Sequence, residues 1–206
     1  MHAHDGATGA AGFGLLTLMW FGMMTAMMAP TVWPWVQSFH RFSGREPRKG
    51  FRTTAEFVAG YLIAWLAYSI GAACLHLVLQ RASLLRHTTA STSALGAAVF
   101  LIAGLYQLAP IKRACLTHCR TPVGYFLRRW HDGPTSSFRL GVNHGLFCVG
   151  CCWALMATSF AVGVMNLWWM AVVAALAFTE QVAPYGHQLR LPLGVVFLIA
   201  AVWQYA

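Results

Sequence analysis

The sequence predicts an all-α fold: a polytopic transmembrane helical bundle of about six spans, with both termini outside, forming one integral membrane domain over 1–206. Two compositional facts and one pattern predict it. Hydrophobic residues make up 58% of the chain and charged residues 9%, against a charged fraction of about 25% in soluble domains. The apolar residues also come in runs of about twenty rather than in amphipathic stripes, which is the length a helix needs to cross a bilayer. A chain of this size makes one compact helical domain and leaves no room for a soluble one. The opening segment from Met1 to Asp5 has no Lys or Arg before the first apolar run, so it does not read as a secretory signal peptide.

Taken in order, the expected spans are 12–32, 55–79 and 94–110, then two drawn from the long apolar stretch 141–180. That stretch is about twice the length of one span, so it must reverse, and Gly163 is the natural turning point. The resulting helices are 142–161 and 164–180. A short last span covers 191–205. No internal repeat is visible beyond two clusters of cysteine.

Charge sets the orientation. The net charge is +9, and all fourteen Lys and Arg fall between the expected spans. The first loop holds Arg41, Arg45, Arg48, Lys49 and Arg52; the third holds Lys112, Arg113, Arg120, Arg128, Arg129 and Arg139; the fifth holds Arg190. The second has only Arg81 and Arg86. By the positive-inside rule, loops one, three and five are cytoplasmic and both termini face outward. The expected location is the inner, cytoplasmic membrane of a bacterium, with the lipid bilayer as the first partner. Topology and anionic head groups account for the basic excess. No nucleic-acid-binding motif accompanies it, so nucleic acid is not an expected partner. Trp33, Trp35, Trp130 and Trp203 read as interface anchors.

The chemistry-bearing residues collect in the cytoplasmic half. Cys148, Cys151 and Cys152 are spaced i, i+3 and i, i+4, which places their sulfurs on one side of a helix, one turn apart. His144 is one turn further back. Cys115, His118 and Cys119 follow the third span. The first span carries Met23, Met24, Met27 and Met28 in its inner half. Glu56 opens the second helix there, and Glu180 ends the fifth at the same depth. Cys148 and Cys152 are the expected ligands of one ion. Cys151 is expected to turn toward a neighbouring helix, and Cys115, His118 and Cys119 to form an uptake or second site. Met23 or Met27 would face the same cavity, with Glu180 at its rim. Each residue also has a bland role. Cysteine serves as a small apolar filler and methionine fills irregular gaps between helices. His118 reads equally as a solvated loop residue, Glu180 as an interface carboxylate, and Gln107 and Asn166 as helix-to-helix hydrogen bonders. Cys74, alone in its helix, reads as filler.

Three stretches carry a resemblance. The run Met19-Trp20-Phe21-Gly22-Met23-Met24-Thr25-Ala26-Met27-Met28-Ala29-Pro30, the motif from Gly104 through Cys115, His118 and Cys119 to Pro122, and the motif from Cys148 to Met156 followed by Gly163, Met165, Asn166, Trp169 and Met170 occur in this order. Together they resemble an uncharacterised bacterial family described as predicted metal-binding integral membrane proteins. The resemblance extends from about Leu15 to the C terminus and implies metal binding. One departure is visible. The family has Glu-Lys after the fifth helix, and here the pair is Glu180-Gln181.

Thiolate and thioether together select copper, as Cu(I), ahead of hard ions. Zinc is the alternative, although thioether would then be idle. An iron–sulfur cluster ranks third, and haem is disfavoured because no Cys-x-x-Cys-His occurs. The leading expectation is a membrane protein that binds, transfers or transports Cu(I), with a metal donor or acceptor protein as partner. The alternatives are an integral membrane redox enzyme, with Glu180 and His144 handling protons or a dithiol reacting with a quinone, and a structural subunit of an oligomer or larger membrane complex. Cysteines on the reducing side of the membrane weigh against the dithiol enzyme.

Overall fold

The computed structural model describes residues 10–43, 47–86, 90–91, 93–120 and 135–205. Helix α1 spans Ala10–Ser43 and passes through Pro30 and Pro34 without ending. It runs beyond the expected limit at 32 because the polar residues after it continue the same helix. The hydroxyls of Ser38 and Ser43 donate to the carbonyls of Pro34 and Phe39 at 2.7 and 3.0 Å there. Helix α2 spans Pro47–Arg81. Two short antiparallel strands, β1 (Leu85–Arg86) and β2 (Ala90–Ser91), link it to helix α3, Ser93–Leu108.

Residues expected to begin the third loop form helix α4, Pro110–Cys119, whose axis is bent 67° from that of α3. Proline explains both events. It cannot continue α3, and it holds Ala109 extended at φ −63°, ψ 142°. At the first position of a new helix its missing N–H costs nothing and its fixed φ is already helical.

Helix α5, Ser136–Ala157, continues into one further turn, α6, Ser159–Val162. The chain reverses at Gly163, whose φ of 121° a side chain would strain, at the expected turning point. Asn166 caps helix α7, Leu167–Val182, its side-chain oxygen accepting the Trp169 N–H at 3.1 Å. A 3₁₀ turn, Gly186–Leu189, leads into helix α8, Arg190–Tyr205. Apolar helices thus occupy all the expected positions, but unequally. Four segments are each long and apolar enough to cross a membrane: Ala10–Arg41, Gly50–Arg81, Ser136–Val162 and Gly186–Tyr205. Helix α3 reaches that length only with α4, and α7 has 16 residues. The outer faces stay apolar, as Leu15, Ile70, Leu167, Val202 and Trp203 are all exposed.

Helix α5 is the central element. Of its apolar stretch 61% is buried, against 33% for α1 and for α2. Glycines bring α2 and α5 into backbone contact. A Cβ on Gly141 would lie 2.0 Å from the Phe57 carbonyl oxygen, and one on Gly60 2.2 Å from that of Phe138. Gly145, one turn on, faces Ala64 in the same way. Small residues along such a seam let the two helix backbones approach closely. Gly104 and Gly194 seat α3 against α8 similarly.

Gly141→Ala forces the two backbones apart, and overpacking of this kind costs about 1–3 kcal/mol. We expect a clear fall in the thermal unfolding midpoint in lipid nanodiscs. Gly22→Ala, where nothing lies within 4 Å, leaves it level or raises it. Equal midpoints for the two variants contradict the packing role of Gly141.

Candidate metal centre

The cysteine motif occupies the buried face of α5. Cys148, Cys151 and Cys152 are each 1% exposed, and their sulfurs all lie within 4.8 Å of one another. The thiols of Cys151 and Cys152 reach back to the Cys148 carbonyl oxygen at 3.1 and 2.9 Å. Helix geometry therefore holds the three sulfurs together before any metal acts. The Met28 thioether, on α1, lies 3.8 Å from the Cys152 sulfur. From α2, the Tyr61 hydroxyl lies 3.5 Å from Cys148, whose thiol also faces the Gln181 side-chain oxygen at 3.6 Å. Among the described residues, this triad is where metal-ligating side chains converge.

The bend at Pro110 lays α4 across α5 and brings the second cluster in. The Cys119 thiol is within hydrogen-bonding reach of Cys151. The Cys115 sulfur sits 3.2 Å from where a Cβ on Gly150 would be, so the absence of a side chain there admits it. The Tyr106 hydroxyl donates to the Gly150 carbonyl. Trp35 donates its indole N–H to the Cys119 carbonyl at 2.9 Å, which ties α1 to the end of α4. Trp35 is 4% exposed and is therefore not an interface anchor; Trp33 and Trp203 are exposed as expected, and Trp130 lies outside the described residues.

His144 lies at the start of α5, one turn before Cys148, and His118 lies on α4. His144 is buried and stacked on Trp35, ring centroids 3.7 Å apart, with Phe57 and Tyr61 on its flanks at 6.0 and 5.7 Å. Its Nδ1 has no hydrogen-bond partner among the described residues. It lies near enough to Cys151 and to His118 to interact electrostatically with both. His118 is half-buried and stacked on Phe147 at 3.8 Å, so it is not a solvated loop residue.

Lys112 departs most from its expected place in the third loop. It belongs not to a loop but to the first turn of α4, buried, with its ammonium 2.6 Å from Glu180. The two side chains are 1% and 2% exposed. Gln107 completes the group: its amide donates to the other Glu180 oxygen at 3.1 Å, and its own oxygen accepts from Lys112. Arg120 donates to the carbonyls of Glu180 and Pro184, at 2.8 and 2.5 Å. Glu180 is therefore interior rather than at a rim, because a buried cation holds it there. Lys112 also lies near enough to Cys151 for its charge to act there.

Cys151 stays within reach of Cys148 and Cys152 and also meets Cys119 on the neighbouring helix α4, the direction expected of it. The methionine whose sulfur meets the triad is Met28. Met27 is buried in the same core and Met23 is partly buried against it. Sequence reasoning missed Tyr61 and Gln181, both of which touch Cys148.

The donor set fits one soft ion. Ligands at about 2.3 Å from a common ion are at most about 4.6 Å apart. Sulfurs within 4.8 Å of one another need only a small contraction to share it. The fold and this site define an α-helical protein with a buried, sulfur-rich metal-binding cluster. Residues 17–204 match the model of the PpoB2 family, described as a copper chaperone, and the chain belongs to that family. Neither a search of curated proteins nor one of solved structures found a match.

Removing one member of the buried ion pair strands the other, which costs about 3–5 kcal/mol. Lys112→Met and Glu180→Gln are each expected to lower the unfolding midpoint strongly. The double variant recovers part of the loss, because no unpaired charge remains. Additive losses in the double variant contradict the pairing.

Proposed function

We propose that this protein is a membrane-embedded Cu(I) chaperone that takes up copper on the cytoplasmic side and holds it at Cys148, Cys151 and Cys152. One observation carries the reading. Three buried sulfurs lie within 4.8 Å of one another, with the Met28 sulfur 3.8 Å from Cys152. Thiolates with an adjacent thioether favour Cu(I) over zinc, which would leave the thioether idle. Copper is here the cargo. Three thiolates around one Cu(I) carry excess negative charge, and both members of the Lys112–Glu180 pair lie near enough to Cys151 for their charges to act there.

Helix α4 supplies the uptake route. Cys115 is half-buried and Cys119 is buried, so the two thiols lead from the surface toward Cys151. A donor protein on the reducing side meets thiols rather than disulfides. In this reading the protein sits in a bacterial inner membrane, and the positive-inside pattern supports a cytoplasmic position for this end of the bundle.

Anaerobic competition against a chromophoric Cu(I) chelator tests the site. The expected result is about one tightly held Cu(I) per chain, with zinc failing to displace it. The Cys148→Ser, Cys151→Ser, Cys152→Ser triple variant loses that binding. Cys115→Ser keeps the affinity within about tenfold and slows uptake. Tight copper binding by the triple variant rejects the site. Orientation is tested separately, with single cysteines in a cysteine-free background. Tyr205→Cys reacts with an impermeant thiol reagent in intact cells, and Arg113→Cys only after the cells are opened. The reverse pattern inverts the topology.

A further inference from the structure

His76, on α2, is the most unusual buried group away from the cysteine centre. It is 0% exposed, and neither ring nitrogen has a hydrogen-bond partner among the described residues. Neutral imidazole offers one N–H and one lone pair, and protein interiors rarely leave both unmet. The ring is sealed by aromatic neighbours: Trp20 of α1 edge-on at 6.2 Å and Phe160 of α6 at 6.1 Å, with Trp20 and Phe160 4.8 Å apart. The Trp20 indole N–H and the Ser159 hydroxyl are likewise unpartnered.

Its position relative to the cysteines is informative. Tyr61, which touches Cys148, and His76 lie on the same helix, about 22 Å apart at 1.5 Å per residue. Soft donors fill the interval in two columns. On α5, Cys148, Cys152 and Met156 follow at one-turn spacing and lead to Phe160; on α1, Met28 and Met24 lead to Trp20. Met24, Met28 and Met156 are each 0% exposed and belong to one core cluster with the three cysteines. Steps of one turn are about 6 Å, a span that side-chain motion can bridge. Methionine packing alone explains a column of thioethers. It does not explain a sealed imidazole with two unmet nitrogens at the far end.

We propose that His76, with the thioethers of Met24 and Met156 one turn nearer the cysteines, forms a second Cu(I) station at the opposite end of the bundle, from which copper leaves the protein. This rests on the reading of the cysteine triad as a Cu(I) site. Transfer is ligand exchange without redox change. Bonds from copper to the cysteine thiolates break as bonds to thioether and imidazole form, and each vacated thiolate takes up a proton drawn from the cytoplasmic solution. The outer station has only neutral donors, so it leaves the ion's charge uncompensated in an apolar interior and holds copper more weakly than the triad does. A weak terminal station suits release to an acceptor.

X-ray absorption at copper, on the full chain in nanodiscs with one and then two equivalents of Cu(I), tests the station. The first equivalent is expected to show sulfur only, and the second to add the scattering of an imidazole. His76→Leu loses the imidazole and the second equivalent but keeps the first, which also reports that it folds. His76→Met keeps two equivalents with sulfur in place of nitrogen. A second equivalent without imidazole, or an imidazole that persists in His76→Leu and disappears in His144→Phe, overturns the His76 station while leaving the chaperone reading intact. A first equivalent without sulfur ligands removes the chaperone reading, and the station with it.

Discussion

The buried contact between Lys112 and Glu180 sets the geometry of the sulfur centre. It joins the first turn of α4 to the last turns of α7, and Gln107 at the end of α3 braces both partners. It acts together with the Trp35 bond to the Cys119 carbonyl and the seat of Cys115 against Gly150 to hold the short α4 across α5, since its length and polarity give it little helical stability of its own. With it, Cys119 is delivered beside Cys151 and Arg120 closes over the end of α7. Desolvating two charges is expensive, and a purely apolar contact there would cost less. An apolar contact would, however, remove the Lys112 charge that acts on Cys151.

The triad itself is made by local geometry and kept dry by tertiary packing. Cys151 and Cys152 bond to the Cys148 carbonyl because they lie one turn beyond it. Glycine packing of α2 on α5 then places Tyr61 over Cys148, while α1 adds Met28. Water excluded from such a site cannot compete for a soft ion, and charge effects there gain strength from the low dielectric. Family membership as a copper chaperone accords with this chemistry. A carrier needs ligands that bind and then yield, and mixed thiolate and thioether donors differ enough in charge to permit both.

The departure noted in the sequence has a structural counterpart. Where the family resemblance has Lys after the glutamate, this chain has Gln181, whose side-chain oxygen faces the Cys148 thiol. The cation that meets Glu180 is Lys112, 68 residues earlier in the chain and within the second of the three resembling stretches.

Much was legible in the sequence because it depends only on neighbours along the chain. Apolar runs set the helices, Gly163 the reversal between α6 and α7, and the Cys148, Cys151, Cys152 spacing a shared helix face. Other features depend on the rotation and crossing of helices far apart in sequence, which no local pattern records. Met27 and Met28 differ by about 100° around α1, and only packing against α5 decides which sulfur meets Cys152. Trp35 and Lys112 looked like surface residues beside a loop. Burial made the first a hydrogen-bond donor to Cys119 and the second an ion-pair partner of Glu180. Pro110 could be read as a stop; that it also starts a helix lying across the cysteines was decided by what that helix finds to pack against.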